Sequence, residues 1–498
     1  MLRNRSSRAG VASASCLLVM LGATAFHPHS TFTTSTRNVT VSPPRTAPTP
    51  VPLPPGIEAH VRATGAGVGF PNDYLGLSVE ANDVCTLASS SMRNRLVPLL
   101  RNLGRGTLRI GGRSADLAHW ASHGAGSCGV QVDLAPALVT DVFDLASAAH
   151  WNVSWELPLA KYNPGQDAVE AKAIHDLGGK DLVAWSIGNE PNLYVGSGFR
   201  PKWWAYPNYI KQWRAVWRAV IKAVPGSNFV GPDACCNLGD FFDSFAIDAR
   251  PDIKALSMHF YAGSHGNETD GYLLGPTPLL KLKTTADGAW SDARTAGKPL
   301  YLTETNTFPD GGKWGVSNTY AATLWMVNLL FEDRVVHITQ VDVEQSSKAV
   351  YDPITDTGRP SRDSGQPSPV YDAMAFFRRL VPPGTLLLDA RVATTANIRA
   401  FALRGSSGVL TFVTLNLTDR SRRVEVEGDK SSRSASVYLL QSRKLSAGVR
   451  KIQLGGSSIS ASGQWPQPSA TSLSVHQRIA RVTLPAYSAG VVTFSSHH

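Results

Sequence analysis

The sequence of 498 residues has few cysteines and no cysteine and histidine cluster with the spacing of a metal site. None of the five Cys belongs to a C-x-x-C pair, so the common zinc motifs are absent. Beyond the first 25 residues, no apolar run is long enough to cross a membrane. No glycine-rich phosphate loop follows the first predicted strand, which argues against a dinucleotide-binding fold.

Charged residues are also scarce, at 17% of the chain, while hydrophobic residues make up 43%. This composition is typical of a globular protein, and the length suits one large domain with a smaller companion. The formal net charge is +10. A basic protein can attract polyanions such as acidic polysaccharides, but the charge alone is equally compatible with an ordinary surface.

The N-terminal segment has the three parts of an export signal. Three Arg within the first eight residues are followed by an apolar stretch at 11–21 and an Ala-Thr-Ala cleavage site at 23–25. We therefore expect a signal peptide at residues 1–25 and a secreted, extracytoplasmic protein. Its removal takes away three Arg and no acids, which lowers the formal charge from +10 to +7.

Residues 26–56 are rich in Thr, Ser and Pro, a composition that predicts an extended linker. Four cysteines remain after the signal peptide: Cys85, Cys128, Cys235 and Cys236. An even number in an oxidising compartment predicts one or two disulfides, with the pairing left open.

From about residue 74 the chain alternates between short β-rich runs and helical runs. The predicted strands are 74–79, 106–110, 153–157, 182–187, 228–231, 255–259, 300–303 and 336–341. Most are short and apolar, as expected of parallel strands covered on both faces. Eight βα units predict an α/β fold, a (β/α)₈ TIM barrel over residues 57–382, with an open doubly wound sheet as the alternative. Residues 383–498 have short β-rich runs between turns and predict an antiparallel β-sandwich.

Two glutamates at predicted strand ends are the main candidates for catalysis. Glu190 follows the fourth strand within Trp-Ser-Ile-Gly-Asn-Glu-Pro (185–191), and Glu304 follows the seventh. The carboxyl ends of barrel strands converge on one face, where catalysis takes place. Retaining glycosidases need two carboxyl groups there, one as acid/base and one as nucleophile. Either glutamate alone has an ordinary structural explanation, but the two together favour catalysis.

Other polar side chains at predicted strand ends would share this cleft. They are Glu80, Arg109, Glu156, Lys161, Asn189, Asp233, His259, Tyr261, Asp342, Glu344 and Gln345.

Five runs resemble the heparanase and β-glucuronidase family, glycoside hydrolase family 79. They are LRIGG (108–112), WSIGNEPN (185–192), SMHFY (257–261), TETNTFPDGGKWGVSNTY (303–320) and LPAYSAGVVTF (484–494). The resemblance covers roughly residues 70–495. It implies that Glu190 is the acid/base and Glu304 the nucleophile of a retaining enzyme in the same clan of (β/α)₈ glycosidases.

The resemblance also implies roles for the neighbouring residues. Asn189 would bind the sugar 2-hydroxyl, and Tyr261 would orient the nucleophile. His259 would support the floor of the site, and Tyr351 would contact the sugar. Ordinary packing is the alternative for the last two.

Family members hold the uronic carboxylate through an aromatic hydroxyl and glycine amides in the loop after the nucleophile. Here that loop contains Phe308, Gly311, Gly312 and Lys313. Phe308 has no hydroxyl, and Asp310 would repel a carboxylate, so the requirement for a uronic acid stays open.

We therefore expect a secreted exo-β-glucuronidase that acts on terminal glucuronic acid of glycans or glycoconjugates. The alternatives are a heparanase-like endo-β-glucuronidase on acidic polysaccharide, a neutral-sugar glycosidase of the same clan, and a non-catalytic carbohydrate-binding barrel. The expected partner is a carbohydrate, with no nucleic acid, cofactor or metal involved. The oligomeric state is not predictable from the sequence.

Overall fold

The computed structural model describes residues 53–495, except 88, 130, 347–348 and 356–363. The predicted signal peptide (1–25) and most of the predicted linker (26–52) lie outside the described residues. Among the helices that are described, none is long and apolar enough to span a membrane.

In chain order the strands are β1 (Ala59–Gly69), β2 (Leu75–Glu80), β3 (Thr107–Gly111), β4 (His119–Trp120), β5 (Ser127–Cys128), β6 (Val132–Leu134), β7 (Asn152–Leu157), β8 (Leu182–Ile187), β9 (Val230–Cys235), β10 (Ala255–Tyr261), β11 (Leu300–Asn306), β12 (Ile338–Gln345), β13 (Leu386–Thr394), β14 (Ile398–Arg404), β15 (Leu410–Asn416), β16 (Arg422–Glu427), β17 (Ser434–Gln441), β18 (Gln453–Leu454), β19 (Thr471–His476), β20 (Ile479–Leu484) and β21 (Ser488–Ser495).

The α-helices are α1 (Val84–Leu87), α2 (Ser90–Asn102), α3 (Pro136–Ala149), α4 (Pro164–Gly178), α5 (Tyr206–Ala223), α6 (Gly239–Asp248), α7 (Asp270–Leu273), α8 (Pro276–Ala296), α9 (Tyr320–Val335) and α10 (Pro369–Leu380).

Eight parallel strands form the predicted barrel, in the order β8-β7-β3-β2-β12-β11-β10-β9. A parallel bridge between Trp185 and Phe229 joins β8 to β9 and closes the ring. The TIM barrel prediction is therefore confirmed. The fifth and eighth strands run to Cys235 and Gln345, several residues beyond the predicted ends, because polar residues that face the barrel interior interrupt the apolar pattern there.

Side chains alternate along the barrel strands, as the two-residue period of a strand requires. In β3, Leu108 and Ile110 belong to the hydrophobic core, whereas Arg109 between them bonds to Ser78 of β2 and Glu156 of β7. The outer helices cover the apolar set, and the polar set lies inside the ring. This alternation is what places charged groups in the barrel interior.

The second sheet has ten strands, in the order β18-β17-β19-β20-β16-β1-β13-β14-β15-β21. β17 also pairs with β21, so the sheet returns on itself around a separate hydrophobic core. All its neighbouring strands are antiparallel except β1 and β16. The predicted antiparallel domain at the C-terminal end is therefore confirmed.

One predicted boundary is wrong. Residues 59–69 were assigned to the barrel, but they form β1 in the middle of the second sheet, between β16 and β13. Ala59 and Val61 are buried in the core of that sheet. A central position in a sheet formed by distant residues leaves no local signature in the sequence.

The two domains pack closely through α9. Nearly all its residues are buried, and the hydroxyl of Tyr320 donates to the backbone oxygen of Leu440 in β17. Phe331 stacks on Phe401 of β14, with ring centroids 4.9 Å apart. These contacts bury most of α9 between the barrel and the second sheet.

Candidate active site

The two candidate glutamates face each other at the carboxyl end of the barrel. One oxygen of Glu190, one oxygen of Glu304 and a ring nitrogen of His259 all lie within 4.8 Å of one another. The Glu304 side chain is 10% exposed and that of Glu190 is 21% exposed. The structure thus brings together two carboxylates that are 114 positions apart in the chain, and solvent reaches both.

Glu304 is held by two side chains. Arg109 Nη1 donates to its Oε2 at 3.1 Å, and the Tyr261 hydroxyl donates to its Oε1 at 2.8 Å. Each carboxylate oxygen therefore has one donor, and both donors come from barrel strands. This arrangement fixes the plane of the carboxylate.

Glu190 sits in a sharp turn directly after β8. Its backbone is left-handed, with φ 50° and ψ 52°, and its N–H donates to the backbone oxygen of Asp233 at 3.0 Å. A non-glycine residue in this region is strained, and strain of this kind is found where the surrounding structure dictates the conformation. Gly188, at φ 82°, and Pro191, which begins a short 3₁₀ helix, complete the turn. The turn directs the Glu190 side chain toward His259.

His259 lies between the two glutamates. Its Nδ1 is 3.0 Å from Glu190 Oε1 and 3.8 Å from Glu304 Oε2. Burial disfavours the charged imidazolium, but the negative charge of Glu304 and the hydrogen bond with Glu190 outweigh it and raise the pKa of His259. The hydrogen bond through Nδ1 thus joins His259 to Glu190 at the centre of the site.

Arg109 connects several polar side chains of the barrel interior through hydrogen bonds. Besides Glu304, it donates to Ser78 at 2.8 Å, Glu156 at 2.7 Å and Asn189 Oδ1 at 2.9 Å. Burial disfavours its charge, but surrounding carboxylates, with Asp233 the strongest, raise the pKa of Arg109. Because Arg109 occupies the amide oxygen of Asn189, the Asn189 side chain offers its NH₂ group to a ligand.

Two further carboxyl groups lie near Glu304. Burial raises the pKa of Glu80 to about 7, with Ser114 opposing and Glu304 reinforcing the shift. Burial and the charge of Glu304 also raise the pKa of Glu344. Glu80 accepts from the backbone N–H groups of Arg113 and Ser114, so it holds the loop after β3 beside the cleft.

Asp116 organises the side of the site next to Glu190, and the strand-end pattern missed it. Its buried carboxylate accepts from the N–H groups of Leu159, Ala160 and Asn189 and from the Tyr194 hydroxyl. It therefore ties the end of β7 to the turn that carries Glu190. Asp116 lies five residues after the end of β3, in a short 3₁₀ helix. Its distance from the strand end therefore did not predict it as a residue of the site.

The structure corrects two expectations for the loop after Glu304, namely that Phe308 and the N–H of Gly312 bind the substrate. Phe308 is fully buried and packs against Tyr272, with ring centroids 6.4 Å apart, so it presents no surface to a sugar. The Gly312 N–H donates to the Pro309 oxygen at 3.2 Å and closes a turn instead of pointing to a ligand. Asp310 is paired with His265 Nε2 at 2.8 Å, which offsets its charge.

The other members of this loop lie at the rim. Lys313 is exposed, with Nζ 3.9 Å from Glu268, and its backbone N–H is bonded to Ser317. The Gly311 oxygen accepts from the Val350 N–H.

Tyr351 is buried beside Tyr261, with ring centroids 6.5 Å apart, and lies against Gly312.

Glu190, His259 and Glu304 are also the one group of His, Cys, Asp and Glu side chains, within the described ranges, with a spacing that suits a metal ion. The same spacing is what two catalytic carboxyl groups and their orienting histidine require.

No family model matches the sequence. A β-glucuronidase of Neurospora crassa is 24% identical over 293 residues, which are 51% of this chain and 52% of that protein. A β-glucuronidase of Aspergillus niger is 25% identical over 328 residues, which are 59% of this chain and 60% of that protein. The chain thus spans between half and two thirds of the length of these curated relatives.

Solved structures of glycosidases share the fold. A 4-O-α-L-rhamnosyl-β-D-glucuronidase of Fusarium oxysporum superposes with a TM-score of 0.73 at 17% identity, covering 87% of this chain and 100% of that one. A GH51 arabinofuranosidase of Xanthomonas axonopodis pv. citri has a TM-score of 0.68 at 13% identity, covering 88% of this chain and 100% of that one. The barrel and its second sheet domain are therefore an architecture found in glycoside hydrolases.

Proposed function

We propose that the protein is a retaining β-glycosidase with Glu304 as nucleophile and Glu190 as acid/base. The observation that carries the proposal is that one oxygen of Glu190 and one oxygen of Glu304 lie within 4.8 Å of each other. Retaining enzymes hold these groups about 5–5.5 Å apart, whereas inverting enzymes leave about 6.5–9.5 Å for a water molecule. The short separation supports attack by one carboxylate on the sugar itself.

The surroundings of the two groups support this assignment of roles. The nucleophile must be held in one orientation, and Glu304 is fixed by Arg109 and Tyr261. The acid/base must exchange protons with the leaving group and with water. Glu190 is the more exposed of the two and has His259 as its hydrogen-bond partner.

The reaction then proceeds in two displacements. Glu304 attacks the anomeric carbon, and Glu190 gives its proton to the departing glycosidic oxygen as that bond breaks. Glu190, now ionised, removes a proton from water, which attacks the anomeric carbon and releases Glu304. In this proposal the NH₂ group of Asn189, whose amide oxygen accepts from Arg109, binds the 2-hydroxyl, a contact that strengthens in the transition state.

A terminal β-glucuronide is the proposed substrate, with exo action and secretion as parts of the same proposal. The partial similarity to two β-glucuronidases supports the glucuronide, and the signal-like N-terminal segment supports secretion. Membership of glycoside hydrolase family 79 remains part of this proposal.

A neutral sugar is the second candidate. The buried ring of Phe308 and the internally bonded N–H of Gly312 remove two of the groups expected to bind a uronic carboxylate. An arabinofuranosidase shares the fold.

The test is an assay of residues 26–498 on aryl β-glucuronide, β-glucoside, β-xyloside and α-arabinofuranoside, with Glu304→Gln as the control. Proton NMR of the first product reports its anomeric configuration. Release of the β-anomer of glucuronic acid by the parent alone supports the proposal. Turnover of a neutral glycoside alone overturns the glucuronide, and a first product of inverted configuration overturns the mechanism. Activity on acidic polysaccharide without aryl glycosides indicates endo cleavage, and binding without turnover indicates a non-catalytic barrel.

A further inference from the structure

Two consecutive cysteines at the end of β9 lie beside the proposed acid/base. Cys235 is the last residue of the strand and is buried, whereas Cys236 is exposed. Cys235 is the register partner of His259 in the neighbouring strand β10, and that histidine is hydrogen-bonded to Glu190. The pair therefore lies at the carboxyl end of the barrel, where the proposed chemistry takes place.

Backbone contacts hold Cys235 against the turn that carries Glu190. The side chain of Asn192 accepts from the Cys235 N–H at 3.3 Å and donates to the Cys235 oxygen at 2.8 Å. The Glu190 N–H donates to the oxygen of Asp233, two residues before Cys235. These three hydrogen bonds fix the end of β9 relative to Glu190.

The two sulfur atoms lie on the same side of the chain, which a regular strand does not allow, because successive side chains of a strand point to opposite faces. Cys236 has a left-handed backbone, with φ 70°, a region that few residues other than glycine adopt. Its Sγ lies 2.7 Å from that of Cys235, farther than the about 2.0 Å of a disulfide bond. Both residues are thiols here, with sulfur atoms close enough to join.

The two thiols form a short chain of hydrogen bonds that ends on Glu190. Cys236 donates to the Cys235 sulfur, and Cys235 donates to the Glu190 carboxylate. The bond from Cys236 lowers the pKa of Cys235, but burial and the charges of Glu190 and Glu304 outweigh it and raise that pKa to about 12. Cys235 therefore keeps its proton at neutral pH and stays a donor.

We propose that Cys235 is a positioning residue for Glu190, and that a reversible disulfide between Cys235 and Cys236 removes this contact. The inference rests on the proposed function, since it treats Glu190 as the acid/base. A disulfide sulfur carries no proton, so oxidation takes away one donor to the Glu190 carboxylate. The form with two thiols is the active one, and the disulfide weakens proton transfer to the leaving group.

The oxidant is a small-molecule disulfide, RSSR, which reacts by thiol–disulfide exchange. The exposed Cys236 loses its proton to water, and its thiolate attacks one sulfur of RSSR and releases RS⁻. Cys235 then attacks the Cys236 sulfur of the mixed disulfide and releases the second RS⁻, while its proton leaves through Glu190. Two thiols are oxidised to one disulfide, and RSSR with the two protons becomes two RSH.

The disulfide should be easily reduced again. Consecutive Cα atoms are about 3.8 Å apart, whereas disulfides usually span about 4.4–6.8 Å, so a bond between neighbours is strained and labile. The disulfide of Cys85 and Cys128 provides the contrast, because its Cα atoms are 5.8 Å apart. The two pairs should therefore respond differently to the same reducing buffer.

The first test follows the cysteines without any substrate. The purified protein is equilibrated in buffers of reduced and oxidised glutathione, its thiols are alkylated, and its peptides are mapped by mass spectrometry. Cys235 and Cys236 should change from two alkylated thiols to an internal disulfide as the buffer becomes oxidising, while Cys85–Cys128 stays bonded. Thiols in every buffer, a disulfide in every buffer, or glutathione left on Cys236 would each overturn the reversible bond.

The second test measures kcat/KM of both redox forms on two β-glucuronyl substrates. The fluoride needs no proton on its leaving group, whereas an alkyl β-glucuronide does. Because one hydrogen bond to a charged group is lost, the oxidised form should lose about tenfold on the alkyl glucuronide and less than about twofold on the fluoride. Equal losses on both substrates would overturn the positioning role.

Three variants separate the hydrogen bond from the cysteine pair. Cys235→Ala should reproduce the oxidised form on both substrates and ignore the oxidant. Cys235→Ser keeps a hydroxyl donor and should stay within about twofold of the reduced parent. Cys236→Ser is the matched control, because it leaves the Cys235 thiol in place, and it should match the reduced parent in every buffer.

A Cys235→Ser variant as slow as Cys235→Ala would overturn the donor role, and a response of Cys236→Ser to the oxidant would overturn the pair. Turnover of the fluoride by the reduced parent reports the proposed function alone. Its absence would refute that function, while the peptide map would still decide whether the two cysteines form a reversible disulfide.

Discussion

The ends of β8 and β11 carry one glutamate each of the proposed catalytic pair, and the two environments differ. At the end of β11, Glu304 has one donor on each oxygen, from Arg109 and Tyr261. At the end of β8, Glu190 is in a strained left-handed turn and has a histidine beside one oxygen. The first arrangement restricts a carboxylate, whereas the second leaves it accessible to solvent.

This difference matches the two roles that we propose for the glutamates. A nucleophile gains from donors that hold its orientation through the attack. An acid/base gains from access to the leaving group and to water. The predictions below test whether the two glutamates differ as this comparison requires.

The largest effect is expected from Glu304→Gln. The amide has nearly the same shape but cannot form the covalent intermediate, so kcat on an aryl β-glucuronide should fall by about 10⁴-fold or more. Steady-state kinetics measures the loss, and an unchanged thermal unfolding midpoint shows that the fold is intact. Retention of more than a few per cent of activity would remove Glu304 from the nucleophile role.

Glu190→Ala should have a smaller and substrate-dependent effect. Loss of the acid/base should lower kcat/KM by about 10²–10⁴-fold for a poor leaving group and by much less for a fluoride. Azide, a small anion that needs no general base, should restore turnover and give a β-glycosyl azide. The same rescue with Glu304→Gln would reverse the two assignments.

Tyr261→Phe tests the donors that distinguish Glu304. It removes a hydrogen bond of 2.8 Å to a charged acceptor, so kcat should fall by about 10–100-fold, with little change in KM. Tyr351→Phe is the matched control, because that ring lies beside Tyr261 and should change kcat less. Equal losses in both variants would mean that the effect comes from the hydrogen bond between the two tyrosines and not from the bond to Glu304 alone.

Glu170 is a buried carboxyl group outside the site. It extends the comparison to a carboxyl group whose hydrogen bonding does not offset its burial. Burial raises the pKa of Glu170 in α4 to about 8 from an ordinary value of 4.5, against a hydrogen bond from Trp155. Because the folded value is the higher one, the stability that it contributes is present below about pH 4.5 and is lost as the pH rises through 8.

Glu170→Gln should therefore reduce the fall in the free energy of unfolding between pH 5 and pH 8, by at most about 4 kcal/mol. Urea unfolding at both pH values measures the difference. Asp176→Asn is the control, because this acid on the same helix is exposed and its pKa is lowered, mainly by the hydrogen bond from Lys172, so it stays ionised throughout that range. A parallel fall in the parent and in Glu170→Gln would show that Glu170 does not titrate there.

Much of the barrel was predictable because its features are local. The strand β8 was predicted with its observed bounds, and Glu190 and Glu304 follow apolar runs whose period is visible in the sequence. Because the carboxyl ends of barrel strands converge, the sequence also predicts both glutamates on the same face of the barrel.

Other features have no local cause. β1 lies in a sheet whose other strands are more than 300 residues further along the chain, and Asp116 reaches the Glu190 turn from a loop after β3. Phe308 is buried against Tyr272, which belongs to α7. The sequence could therefore name the candidate residues of the loop after Glu304 but not their orientation.

By itself, the sequence determined the repeating βα pattern, the two glutamates and the end of the barrel where they meet. These follow from side-chain period and from the direction of parallel strands, which each segment encodes. The tertiary structure decided which residues hold each glutamate and which glycine amides are already bonded within the loop after Glu304. Those outcomes depend on hydrogen bonds and burial between segments far apart in the chain, and only packing in three dimensions brings these segments into contact.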